Sequence, residues 1–254
     1  MMWRSCALPD AKCVLTPSPN VMRPTILLVS LLLLLALRAA GQSTSAVPPT
    51  KRVYLHSVVG VALPGVSSLN TELSNAGFLP LSGAYLLRGA GLYTVFPKAR
   101  LATLVTFMSY SGTDTEANRS SWVRGSTAGA SLGIVLGRTD RIQCIPYAGL
   151  AYAWFGTRVS KVAPASTTFS GYLTGPTNQQ SLTREQVVGN VGLQVSKTGL
   201  GQSSLGQKLL LGLRAGYLFP LNTPNWETNA VSLSGGPGVN PGGTYLSLVL
   251  GSAL

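Results

Sequence analysis

The chain has 254 residues, of which 45% are hydrophobic and only 10% charged, with 29 Gly, 16 Pro and a mean hydropathy of +0.29. A charged fraction far below the roughly 25% of soluble domains argues against an ordinary solvated surface, the apolar fraction excludes disorder, and the lack of repeated apolar runs of ~20 residues excludes a helical membrane bundle. The formal charge of +12 is scattered along the chain, so no nucleic-acid partner is expected.

Near the N-terminus, Met22-Arg23 precede an apolar run from Ile26 to Leu37 broken only by Ser30, and Ala39-Ala40-Gly41 before Gln42 places small residues where a signal peptidase reads. Residues 22–41 are therefore read as a cleaved secretory signal, the run being too short to span a bilayer. Residues 1–21 lie upstream of it, in keeping with a start codon assigned too early, and residues 42–50 form a Pro-containing linker. The remaining residues, 51–254, are read as one domain. Cleavage would remove Cys6 and Cys13 and leave Cys144, so no intramolecular disulfide is available. The mature chain would carry 15 Lys+Arg against 6 Asp+Glu.

From residue 53 the chain breaks into eight segments of alternating character, separated by Gly, Pro, Asn and Ser clusters: approximately 53–63, 83–96, 100–110, 122–138, 141–157, 185–197, 208–219 and 243–254. Many reach the ~10 residues that a tilted transmembrane strand requires. The connections alternate in length: Pro64 to Ser82 long, Pro97 to Ala99 short, Ser111 to Ser121 long, Thr139 to Asp140 short, Arg158 to Arg184 long, Thr198 to Gln207 shorter, Pro220 to Gly242 long. An up-and-down membrane barrel sorts its loops in this way, with tight periplasmic turns on one rim and long extracellular loops on the other.

The strand faces give the orientation. In the fourth segment Ala128, Ala130, Leu132, Ile134 and Leu136 oppose Gly129, Ser131, Gly133, Val135 and Gly137. In the sixth, Val187, Val191, Leu193 and Val195 oppose Asn190, Gly192, Gln194 and Ser196. The seventh sets Leu209, Leu211, Leu213, Ala215, Tyr217 and Phe219 against Gly212, Arg214 and Gly216, and the eighth sets Leu246, Leu248 and Leu250 against Ser247, Gly251 and Ala253. One face is large and apolar, the other small or polar. A soluble barrel would turn the apolar face inward and leave an outer face almost without charge. The economical reading inverts this, with apolar residues toward lipid and Gly, Ser, Asn, Gln and Arg toward the lumen. Either parity would pass in the third segment. Tyr85, Tyr93, Trp122, Tyr152, Trp154, Tyr217 and Phe219 fall toward strand ends, where interfacial aromatic belts lie.

In these features, and in the terminal strand Tyr245-Leu246-Ser247-Leu248-Val249-Leu250, the chain resembles the small eight-stranded outer-membrane barrels of Gram-negative bacteria, particularly uncharacterised short barrels of Bacteroidota. The resemblance implies an all-β, eight-stranded antiparallel up-and-down transmembrane barrel in the cell outer membrane. It further implies contact with outer-membrane lipid and lipopolysaccharide, and delivery by the barrel-assembly machinery. Such barrels commonly end in an aromatic residue, whereas this chain ends in Leu254.

Candidate chemistry is sparse. His56, the only histidine, shares parity with Tyr54, Val58 and Gly60 and is expected in the lumen without an orienting carboxylate, a weak base and a weak metal ligand. Arg88 and Arg214 fall within strands. A charge on the lipid face near the midplane costs ~2–4 kcal/mol, so both are expected in the lumen, near Gln143, Tyr147, Asn190 or Gln194. The lumen polar set is thus Arg88, Arg214, Asn190, Gln194, Gln143 and His56. Arg119, Arg124, Arg158, Lys161 and Arg184 are placed at the outer rim, near lipopolysaccharide phosphates. No catalytic, metal or cofactor residue is assigned and no cofactor is expected. The reading is a non-enzymatic barrel with a filled polar lumen, acting structurally or through its long extracellular loops, of unknown partner. The alternatives are a lipid-modifying hydrolase using His56, a narrow anion-preferring pore, or, for a soluble chain, a lipocalin-like lipophile binder.

Overall fold

The computed structural model describes residues 52–136, 142–161, 178–200, 206, 208–228 and 231–254. The upstream stretch, signal and linker expected over residues 1–50, and the Thr139 to Asp140 turn, lie outside the described residues. Among the described residues there are ten strands: β1 Arg52–Gly65, β2 Tyr85–Phe96, β3 Leu101–Glu116, β4 Arg119–Ile134, β5 Ile142–Lys161, β6 Asn178–Thr198, β7 Leu209–Pro220, β8 Trp226–Thr228, β9 Val231–Leu233 and β10 Asn240–Ala253. A helix, α1, spans Ser67–Asn75.

Eight of the strands form the expected antiparallel barrel. Each pairs with its sequence neighbour, β7 pairs with β10, and β10 pairs with β1 to close the ring. The short β8–β9 hairpin lies outside this ring, attached to β6 through Thr183 opposite Glu227. The ladder partners of Val195 are, in turn, Leu213, Leu248, Val59, Arg88, Ser109, Ser126, Trp154 and Glu185. One circuit therefore returns to β6 ten residues from its start. That stagger with eight strands sets a tilt of about 40° and an interior just wide enough for side chains to fill.

Facing follows the inverted reading. Leu132, Leu213, Leu246, Leu248 and Leu250 are about half exposed, and Leu86 and Leu150 are 60% exposed, whereas Tyr54, His56, Val58, Asn190, Gln194, Arg214 and Ser247 are buried inside. β3, whose parity the sequence left open, turns Ala102, Leu104, Thr106, Met108 and Tyr110 inward. Pairing decides it, because cross-strand partners share a face.

Several expectations are corrected. The connection Ser111 to Ser121 is not a long loop: β3 and β4 stay paired out to Glu116 opposite Arg119, and only Ala117 and Asn118 turn the chain, with Ala117 at φ 47°. Beyond the apolar band both faces are polar, so hydrophobic alternation fades although the Thr-rich strand continues. β5 and β6 likewise extend to Lys161 and back to Asn178, shortening the loop expected from Arg158 to Arg184. Tyr85 and Tyr93 are buried inside the barrel rather than placed in an aromatic belt.

The two long connections described fold over the barrel end opposite the termini. Leu69 and Leu73 of α1 are buried with Leu81, and Asn70 clamps that turn by donating to the Leu81 carbonyl (2.9 Å) and accepting its N–H (2.8 Å). The segment between β7 and β10, expected to be presented outward, buries Trp226 edge-on against Phe155 (5.9 Å), its Nε1 donating to the Pro237 carbonyl (2.9 Å). A Cβ on Gly236 would meet the Trp226 ring at 2.3 Å, so glycine permits this fold-back. These residues, with Leu87, Met108, Tyr110, Val188 and Leu218, form an apolar plug at the loop end. Tyr54, Tyr93, Val95, Leu104, Ile145 and Leu210 form a second at the terminal end. The expected filled polar lumen is thus polar chiefly in the layer between two apolar plugs.

Candidate functional site

That middle layer is organised by Arg214. Alternation along β7 turns it inward, and the ladder places it directly opposite Gln194 of β6. Gln194 Oε1 accepts from Arg214 Nε (2.9 Å) and Nη2 (2.6 Å), and Nη2 also lies 3.2 Å from His56 Nε2. A guanidinium only donates, so Nε2 accepts, and a neutral His56 carries its proton on Nδ1. Gly91 and Gly251 flank His56 on the neighbouring strands, and a Cβ on Gly91 would stand 2.9 Å from the imidazole. These glycines make room for the ring.

A second network runs beside it. Tyr147 and Tyr245 share a 2.6 Å hydroxyl contact, and Tyr245 donates to Asn190 Oδ1 (2.9 Å), which leaves Tyr147 as donor to Tyr245. Asn190 Nδ2 in turn donates to Ser131 Oγ (3.4 Å). Nearer the terminal end, Tyr93 donates to Gln143 (2.6 Å). Among the described residues the one ion pair is Arg119 with Glu116 (3.1 Å), on the surface. Among the described residues Arg214 therefore sits in the barrel without a carboxylate, its charge met by one amide oxygen and a ring nitrogen.

Five of the six lumen residues read from the sequence thus point inward: His56, Gln143, Asn190, Gln194 and Arg214. Arg88 does not. It pairs with Val59 and Ser109 and lies exposed on the outer face beside Leu86 and Ala90. The expected cost of one charge on the apolar outer face is outranked by the register of the whole strand, and the long apolar stem of arginine suits such a face. Arg184, placed at the outer rim from the sequence, is instead buried. It donates to the Pro237 carbonyl (3.1 Å), and its guanidinium lies 5.6 Å from the Trp226 ring. The alternation Arg184, Gln186, Val188, Asn190 and Gln194 carried that signal. Tyr245 was missed because it lies near a loop.

Lys161 also turns from the rim, donating to the Ala76 carbonyl and lying 4.6 Å from the Phe78 ring. The outward cations on β4 and β5 are Arg124 and Arg158, the latter stacked 5.8 Å from the Trp122 ring. No serine hydroxyl bonds His56 among the described residues, and no cluster there has the makings of a metal site.

The sequence matches no family model and no curated protein. Among solved structures the chain is similar to a major outer membrane protein from Thermus thermophilus, with a TM-score of 0.49 and 13% identity over 81% of this chain and 98% of that one. It is also similar to Ail, the attachment invasion locus protein of Yersinia pestis, with a TM-score of 0.42 and 10% identity over 80% and 97% of the two chains. The likeness assigns no residue a role, and the eight-stranded closure rests on the ladder pairing above.

Proposed function

We propose that this chain is a non-enzymatic β-barrel of the bacterial outer membrane with a structural or surface-interaction role. The observation that carries this reading is the outer face. Large apolar side chains stand exposed on strands around a closed ring, at Leu55, Leu86, Phe107, Leu132, Leu150, Val191, Leu213 and Leu248. Soluble monomers rarely expose contiguous apolar patches beyond a few hundred Å². A lipid-facing band removes that cost, and closure leaves no strand edge unsatisfied within it. The signal-like N-terminus supports export, and the barrel-assembly machinery and outer-leaflet lipid are the partners this role requires.

The lumen supports the non-enzymatic part. His56 is held by Arg214 between two apolar plugs, so a hydrolase would need it released, and an ion path would need both plugs displaced. Large apolar residues on the outside are also the reverse of a lipocalin-like binder. The test is gel mobility of the protein from isolated outer membranes, boiled against unboiled. A heat-dependent shift in the membrane fraction is expected. A soluble, heat-indifferent protein would overturn the reading.

A further inference from the structure

The outer face holds a notch that the structural role leaves unused. Gly156 of β5 pairs with Arg124 on one side and Thr183 on the other. An added Cβ there would meet nothing within 4 Å except the Thr183 methyl at 3.8 Å, so the position is open. Strand alternation puts Trp154 and Arg158 on the same face two residues to either side, and the ladder sets Trp122 opposite Arg158. Two exposed arginines and two half-buried indoles therefore border one side-chain-sized gap. Glu185, opposite Trp154, and Glu227, opposite Thr183, are acids on this face; Glu185 accepts from Tyr152 (2.6 Å), and no acid bonds either arginine among the described residues.

The height of the notch on the barrel identifies its occupant. On β5, Tyr152 and Trp154 pack edge-on at 4.8 Å just toward the terminal end, followed by the lipid-band Leu150. Amphipathic aromatics of this kind sit at headgroup level, so Arg124 and Arg158 stand where lipid phosphates are. Arginine pairs with phosphate through short, charge-assisted and often bidentate hydrogen bonds, and the apolar faces of sugar rings pack on indole. Resting on the membrane reading above, we infer that the Gly156 notch binds a phosphorylated glycolipid of the surrounding leaflet, its phosphate between Arg124 and Arg158 and its sugar against Trp122 or Trp154.

The test uses the full mature barrel, refolded in phosphatidylcholine nanodiscs that carry a small fraction of a bisphosphorylated disaccharide glycolipid. The glycolipid retained per barrel after extraction into neutral detergent is measured. Wild type is expected to retain it about tenfold better than the Arg124→Gln/Arg158→Gln double variant, the scale of one charged hydrogen bond. Gly156→Val, which fills the gap but keeps both arginines, is expected to lose retention too, and Arg119→Gln to keep it. Equal retention by the double variant, or equal retention of the dephosphorylated glycolipid by wild type, would overturn the proposal. So would full displacement by millimolar inorganic phosphate, which would mark a site for free anion. Gel mobility of every variant checks folding separately, and a wild-type barrel that fails to insert would refute the membrane reading itself.

Discussion

Arg214 and Gln194 face each other directly across the β6–β7 ladder, and a single side-chain oxygen of Gln194 takes two N–H groups of the guanidinium, at 2.9 and 2.6 Å. The cation has no carboxylate partner among the described residues, so this amide carries much of the compensation. Gln194→Leu should strand it and destabilise the barrel by about 3 kcal/mol. The double variant Gln194→Leu/Arg214→Met removes both the charge and its partner and should recover most of that loss. Urea midpoints of barrels folded in vesicles measure both, and a double variant no better than the single would refute the assignment.

Glycine at position 91 is expected to be required by His56. The imidazole at 2.9 Å and the Val105 carbonyl at 2.3 Å from an added Cβ leave no space there. Gly91→Ala should cost about 1–3 kcal/mol by overpacking, and His56→Ala in the same chain should relieve part of it. Additive effects in that double-mutant cycle would show that the ring is not what occupies the space.

On the outer face, Leu248 and Arg88 lie on one ladder row, separated by Val59 of β1, and both point outward. Leu248→Arg should lower folding stability in vesicles by about 2–4 kcal/mol if placed near the midplane. Arg88→Leu should be neutral or stabilising. A destabilising Arg88→Leu would mean that the native arginine has a partner the outer face does not display.

Trp226 pins the segment between β7 and β10 over the barrel mouth through Phe155, Arg184 and Pro237. Trp226→Ala should release that segment while the eight-stranded ring persists, since opening costs are local. Limited proteolysis is expected to cut between residues 221 and 239 in the variant at least about tenfold faster than in wild type, with the heat-dependent gel shift unchanged. Equal cutting rates would place the anchor elsewhere.

The amino-acid sequence by itself determined the number of barrel strands, their approximate limits within the apolar band, and which face of the fourth, sixth, seventh and eighth looks outward. It could do so because a two-residue period in hydrophobicity is a local property, written into Leu209 to Phe219 or Leu246 to Leu250 without reference to any other strand. The same parity placed His56, Asn190, Gln194 and Arg214 in the interior. Beyond the apolar band that period carries no information, which is why the β3–β4 hairpin read as a loop although its pairing continues to Glu116 and Arg119. Arg88 and Arg184 exchanged their expected positions for a related reason. Each obeys the parity and register of its strand, and only the closed ladder shows which face that is. Contacts between distant segments were decided by tertiary structure alone: His56 meeting Arg214 and Trp226 covering the mouth. They depend on the stagger of ten residues around the ring, a long-range quantity fixed only when β1 meets β10 and β5 meets β6.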